Sequence, residues 1–140
     1  MVEQTTRYGL GVTVGLPYEA ALLRTREALA REGFGVLTEM DIRATLKQKL
    51  DVDFRPYVIL GACNPPLAYQ ALQAERDIGL LLPCNLIVYA GDTPGTSVVA
   101  AMDPVQALQL TGRDDIVTLA VEVRKRLERV LADIEREATA

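Results

Sequence analysis

The chain has 140 residues, which fits a single domain, residues 1–140, better than two. Apolar residues make up 49% and charged residues 24% of the chain, which is typical of a globular domain and excludes general disorder. The absence of histidine excludes every Ser–His, Cys–His and His–metal mechanism built within one chain. The formal net charge of −4 argues against nucleic acid as a partner, because nucleic-acid binders usually present a basic face.

Nothing in the sequence predicts export or a membrane partner. The longest apolar run, 78–83, is much shorter than the roughly 20 residues of a membrane-spanning helix. Residues 2–7 are polar and lack the apolar core of a signal peptide. We therefore expect a cytoplasmic protein whose two cysteines remain thiols. The excess of arginine over lysine, twelve to three, suggests a thermophilic source.

The predicted elements begin with a strand, because apolar residues alternate from Tyr8 to Val14 while Gly9 and Gly11 leave the opposite face bare. In chain order, the next predicted elements are a helix over 17–32, a strand over 34–40, a short helix capped by Asp41 and ending at Leu50, and a strand over 55–63. After these come a helix capped by Asn64 and ending near Glu75, a strand within 80–90, a turn at 91–95 and a strand over 96–102.

The last predicted element is a helix over 113–138. Its apolar residues recur at helical spacing along one stripe: Ile116, Leu119, Ala120, Val123, Leu127, Val130, Leu131 and Ile134. Such a helix would be roughly 39 Å long, about as long as the whole domain is wide. We expect it to cover one face of a sheet.

The element order is β-α-β-α-β-α-β-β-α. Regular alternation would favour a doubly wound parallel sheet. The glycine-rich face of the first strand and the hairpin at 91–95 favour an α+β fold instead, with a mostly antiparallel sheet of about five strands covered mainly on one side by helices. Gly9, Gly11 and Gly15 lie inside or just after a strand and lack the spacing of a dinucleotide-binding loop.

Two Cys-Asn steps mark the candidate site. Cys63 ends one predicted strand directly before the helix cap Asn64, near the positive end of a helix dipole that favours a thiolate. Pro65 and Pro66 then remove two N–H donors, which makes a phosphate site less favourable. Cys84 begins the next strand. If the two strands are antiparallel neighbours, both cysteines lie at the same edge of the sheet, and if they are parallel, the cysteines lie at opposite edges.

The residue types leave several interpretations open. Two cysteines in a core commonly have no function beyond packing. A reactive or redox thiol pair is the first functional alternative. A metal site is a weaker alternative, because two sulfurs without histidine fill only half of a tetrahedral centre and carboxylates or a second subunit would have to supply the rest. We predict no metal and no cofactor. Asp41 and Lys47 could line the same edge, although each is equally explained as a helix cap or an exposed charge.

Three segments, 61–65, 78–85 and 102–104, resemble the DUF302 family, and the resemblance extends over nearly the whole chain. It implies an α+β fold of the TATA-binding-protein-like type, a homodimer, and a function that is unknown for the family. It does not imply DNA binding, because function depends on the site rather than on the fold. The motif residues that it marks are Cys63, Asn64, Pro65, Pro83, Cys84 and Asn85, with Asp41 and Lys47 more loosely.

Three functional hypotheses remain. The first is a small dimeric domain that binds a small molecule in a pocket near Cys63 and Cys84. The second is a thiol-dependent enzyme or redox protein in which Cys63 is the nucleophile and Cys84 its partner. The third is a structural or interaction protein without a small-molecule site. A helix as long as the domain and a sheet with one bare face both favour a partner subunit.

Overall fold

Six strands form one antiparallel sheet in the computed structural model, which describes residues 1–139. In chain order the strands are β1 (Glu3–Thr6), β2 (Gly9–Val14), β3 (Gly35–Asp41), β4 (Tyr57–Cys63), β5 (Cys84–Ala90) and β6 (Ser97–Met102). Their order across the sheet is β1-β2-β6-β5-β4-β3, and every neighbouring pair is antiparallel. The predicted α+β class and antiparallel sheet are therefore confirmed.

Five helices connect or follow these strands. They are α1 (Tyr18–Arg31), α2 (Ile42–Leu50), α3 (Pro65–Ala74), α4 (Pro104–Leu108) and α5 (Asp114–Thr139), with short 3₁₀ helices at Arg76–Leu81 and Gln109–Thr111. None of the helices within residues 1–139 is long and apolar enough to cross a membrane.

The predicted caps of two helices are confirmed. The Asp41 carboxylate accepts a hydrogen bond from the Ala44 N–H at 2.9 Å and begins α2. The Asn64 side-chain oxygen accepts one from the Leu67 N–H at 3.3 Å and begins α3. Each bond satisfies one of the backbone donors that a helix leaves unpaired at its first turn.

Alternation along the strands divides the sheet into two faces. On β2, Leu10, Val12 and Val14 are buried beneath α1 and α5, whereas Thr13 on the other face is exposed. The central strands follow the same rule, with Val88 and Val99 fully buried. The predicted stripe of α5 covers this inner face with four buried residues, Leu127, Val130, Leu131 and Ile134. Ile116 and Ala120, nearer the start of α5, are buried in a second cluster.

The buried apolar residues form two clusters. The larger one fills the space between the inner face and α1 and α5. The smaller one, which we call the satellite cluster, joins α3, the first 3₁₀ helix, α4 and the start of α5 through Ala71, Ile78, Leu108, Ile116 and Ala120. The satellite cluster lies outside the main core because the chain between β4 and β5 folds over the end of the sheet, not over its inner face.

Several elements differ from the sequence-based prediction. β1 was not predicted, because its residues are polar, all exposed and without alternation. α4 was not predicted either, since its five residues are too few to show helical periodicity. The strand predicted within 80–90 is confirmed as β5, which begins at Cys84 as expected, while Ile78 before it belongs to the satellite cluster.

We predict that Gly61→Ala destabilises the protein by about 1–3 kcal/mol, the usual cost of overpacking. A Cβ at Gly61 would overlap the Thr38 Oγ1 atom and lie 2.8 Å from Pro83 Cγ. Urea unfolding measures the change. The matched control is Gly79→Ala, where a Cβ meets nothing within 4 Å and the free energy of unfolding should change by less than about 0.5 kcal/mol.

A double variant tests whether the loss of stability comes from the contact with Thr38 or from any substitution in β4. Because Thr38 Oγ1 is the nearest atom, adding Thr38→Ala to Gly61→Ala should recover part of the lost stability. Equal stability of Gly61→Ala and the wild type would contradict the prediction, because it would show that a Cβ at Gly61 meets no steric overlap with Thr38 or Pro83.

Candidate functional site

The pairing of β4 with β5 places both cysteines at one end of the sheet. The register sets Ala62 opposite Cys84, so Cys63 lies one residue beyond the last pair. β3 contributes to the same end, because Gly35 lies opposite Cys63. The proximity expected for antiparallel neighbours is therefore present in the backbone.

A cavity of about 310 Å³ opens at this end of the sheet, between the strand ends, α3 and α5. Its volume lies at the lower end of the range of small-molecule sites, about 300–1,000 Å³. Its walls consist mainly of aliphatic side chains and include no ionised group: Phe34, Leu37, Thr38, Ala62, Cys63, Asn64, Leu67, Ala68, Ala71, Leu72, Leu82, Pro83, Cys84, Leu108, Leu119, Ala120 and Val123.

The cavity occupies the boundary between the two clusters of buried residues. Phe34 and Ala62 belong to the main core, whereas Ala71, Leu108 and Ala120 belong to the satellite cluster. The side chains at this boundary leave a gap between the two clusters. The gap opens to solvent beside two exposed leucines, Leu37 at 67% and Leu72 at 41% exposure.

Burial and, to a smaller extent, the neighbouring Cys63 together raise the pKa of the Cys84 thiol to about 11. Cys84 is 7% exposed and faces the same side of the sheet as its partner Ala62. The thiol is therefore neutral at physiological pH and acts as a small apolar side chain that is poorly suited to nucleophilic attack.

The two cysteines are both free, and the register disfavours a bond between them. Cys84 pairs with Ala62, and successive side chains of a strand point to opposite faces, so Cys63 and Cys84 leave their strands on opposite sides of the sheet. A disulfide requires Cβ atoms about 3.5–4.5 Å apart that face each other. The strands would have to shift by one residue to meet that condition.

The structure brings together only some of the residues predicted for the site. Cys63, Asn64, Pro83 and Cys84 all line the cavity. Pro65 does not, because it lies on the exposed first turn of α3. Asn85 follows Cys84 on β5 and therefore points to the outer face of the sheet, where it is exposed.

Asp41 and Lys47 do not lie at this end of the sheet. Asp41 ends β3 and pairs with Val58 at the start of β4, five residues from Cys63 or roughly 17 Å along the strand. Lys47 lies on α2 and pairs with the carboxylates of Asp51 and Asp53, at 3.0 and 3.6 Å. The expectation that they could line the same edge is wrong because β3 and β4 are antiparallel, so the end of β3 meets the start of β4.

Most of the cavity wall was not predicted as part of a site. α3 supplies Leu67, Ala68, Ala71 and Leu72, and α5 supplies Leu119, Ala120 and Val123. The periodic apolar face of α5 was visible in the sequence, but its packing beside α3 is a long-range contact that periodicity does not report. Within residues 1–139 there is no cluster of three or more His, Cys, Asp or Glu side chains arranged to hold a metal ion.

The chain is similar to a known protein family and to solved structures. The family model for "Domain of unknown function DUF302" matches residues 10–134. The crystal structure of an uncharacterized conserved DUF302 protein from Bacillus stearothermophilus aligns with a TM-score of 0.84 and 30% sequence identity, covering 92% of this chain and 99% of that one. No curated protein matches the chain significantly.

The shifted pKa of Cys84 predicts a pH-dependent stability. The unfolded thiol ionises near its ordinary pKa of 9.0, whereas the native thiol ionises only near 11. Between these values the unfolded chain binds fewer protons, so the stability due to Cys84 is complete below about pH 9 and is lost as pH rises towards 11. The full shift corresponds to about 2–3 kcal/mol.

The measurement is urea unfolding of the wild type and Cys84→Ala from pH 8 to 11. Tyrosines also ionise at high pH, but they contribute equally to both proteins, so the difference isolates the thiol. Cys63→Ala is the control and should retain the fall in stability. Parallel curves for the wild type and Cys84→Ala would contradict the assignment.

Proposed function

This chain belongs to the DUF302 family, a domain family of unknown function, and from that premise we propose that it is a small ligand-binding domain whose site is the cavity beside Cys63 and Cys84. The observation that carries the proposal is the cavity itself, about 310 Å³ of apolar space that opens to solvent. Small-molecule sites are typically concave and lined chiefly by apolar side chains, as this cavity is.

The walls support binding more than catalysis. Catalytic sites usually hold titratable groups with pKa values tuned towards neutrality. The pKa of Cys84 is shifted away from neutrality, to about 11, and the wall has no carboxylate, lysine or arginine. A redox pair of Cys63 and Cys84 is further disfavoured by the one-residue offset between them. Two free thiols also support a reducing compartment such as the cytoplasm.

We propose in addition that the protein is a homodimer formed through the outer face of the sheet. The residues of the four central strands that point away from α1 and α5 include no carboxylate, ammonium or guanidinium group. They are Gly9, Gly11, Thr13, Tyr57, Ile59, Gly61, Asn85, Ile87, Tyr89, Val98, Ala100 and Met102. A second copy can face this surface without like-charge repulsion, although each chain carries a net charge of −4.

The outer face also has the size and rigidity that a dimer needs. β3 extends the outer face to five strands, because its Thr38 and Met40 lie opposite Gly61 and Ile59. Five strands of about six residues cover roughly 500 Å², so two facing copies would bury about 1,000 Å², the lower limit of a specific interface. Tyr57 and Tyr89 stack across the strands with ring centroids 5.3 Å apart and planes 6° from parallel. Burial raises the pKa of the Tyr57 hydroxyl above its ordinary value.

We predict that the wild type binds N-phenyl-1-naphthylamine, a neutral apolar fluorophore, and that Ala68→Leu weakens this binding at least tenfold. Ala68 lines the cavity and is half-buried, so the added carbons fill the ligand's space without displacing the core. The gain in fluorescence on binding is the readout.

Ala44→Leu is the matched control, because Ala44 is exposed on α2, far from the cavity. It should bind the fluorophore as the wild type does. No binding by the wild type, or equal loss in both variants, would contradict the proposed site.

The dimer predicts a separate result in sedimentation. The wild type at micromolar concentration should sediment as a dimer, and Ile87→Lys should sediment as a monomer, because it places a charge in the centre of the outer face. Leu23→Lys is the control, since Leu23 is an exposed leucine on α1. A monomeric wild type would remove the proposal of a dimer and leave the cavity unaffected.

A further inference from the structure

The walls of the cavity indicate the kind of molecule that it accepts, an inference that rests on the proposed binding function. The polar side chains are confined to the side of the sheet: Thr38 lies on β3 opposite Gly61, and Asn64 directly follows β4. The opposite end consists of α3, α4 and α5 side chains and is purely aliphatic. The cavity is therefore polarised, with a weakly polar end and a hydrocarbon end.

Nothing in the wall compensates an ionised ligand. Burying a charge without a partner is expensive, and the neutral Cys84 thiol shows how strongly this environment disfavours one. The first two arginines after Val123 on α5 already lie in ion pairs. Arg124 lies 3.1 Å from the Glu128 carboxylate, and Arg126 lies 3.1 Å from that of Glu122.

The start of α3 does not compensate an anion either. Its first two residues, Pro65 and Pro66, have no N–H to donate. The N–H of Leu67 is already bonded to the Asn64 side chain. The usual anion site at a helix N-terminus therefore lacks its donors here.

The rim of the cavity is apolar as well. Leu37 and Leu72 are exposed at 67% and 41% although both line the opening. An exposed leucine buries little apolar surface in the free protein, so it adds little to stability. It can bury that surface against a ligand that extends out of the cavity. We propose that the cavity binds an uncharged, chiefly aliphatic molecule with one neutral polar group, which lies at the strand ends while the hydrocarbon chain runs between α3 and α5.

The test compares three probes of equal chain length at pH 7: 1-octanol, octanoate and octylammonium. Each is titrated against the wild type carrying bound N-phenyl-1-naphthylamine, and displacement of the fluorophore gives its affinity. We expect 1-octanol to bind at least about tenfold more tightly than either ion, because only the ions lose hydration without gaining a partner. Equal or tighter binding of octanoate or octylammonium would overturn the inference and leave the binding function standing.

Two further outcomes are distinguishable. If the fluorophore binds but none of the octyl probes displaces it, the aliphatic ligand class is wrong and the site remains. If the fluorophore itself does not bind, the proposed function fails, and the inference fails with it.

A variant at the rim and a matched control test whether the hydrocarbon part of the ligand contacts the opening of the cavity. Leu72→Ser should weaken 1-octanol binding several-fold, since it removes an apolar contact at the opening. Leu23→Ser is the matched control, because Leu23 is exposed on α1 outside the cavity wall. Neither position is buried, so both variants should fold. An equal effect of the two variants would show that 1-octanol binds elsewhere.

Discussion

Backbone hydrogen bonding between β4 and β5 fixes the position of every other part of the site. It sets Ala62 opposite Cys84 and thereby brings the end of one strand to the start of the next. The chain between them must leave and return at the same end of the sheet, so α3 and the first 3₁₀ helix fold over that end. The cavity forms where this connection meets α5.

The same register decides what the two cysteines can do. A one-residue offset places their side chains on opposite faces, which disfavours a disulfide between them. Burial then keeps the Cys84 thiol neutral. Both facts disfavour a reaction at the thiols. The cysteines instead form part of the apolar wall of the cavity.

The sequence predicted those parts of the fold that depend on interactions between residues close together in the chain. Asp41 and Asn64 were recognisable as caps because their side chains bond to N–H groups only three residues away. The stripe on α5 was recognisable because burial against one sheet face imposes helical periodicity. β1 has neither signal, because its four residues are polar, exposed and held only by pairing with β2.

The candidate site was predictable only in part, for the same reason. The end of β4 and the start of β5 carry the Cys-Asn steps, so Cys63, Asn64, Pro83 and Cys84 could be identified from the chain. The helical half of the wall could not, because the packing of α3 beside α5 depends on contacts between distant segments. Asp41 and Lys47 were misplaced because nothing local in the sequence shows which end of an antiparallel pair a residue will reach.

The separation of the satellite cluster from the main core bears on how a ligand of the proposed site would enter and leave the cavity. Proteins open locally in cooperative units, and a unit with few buried contacts opens at lower free energy than the whole fold. α3 has one buried residue, Ala71, and is held at its end by the Arg113 guanidinium, which donates to the Ala74 carbonyl at 2.6 Å. Outward movement of α3 would therefore widen the entrance to the cavity while the sheet, α1 and α5 remain folded.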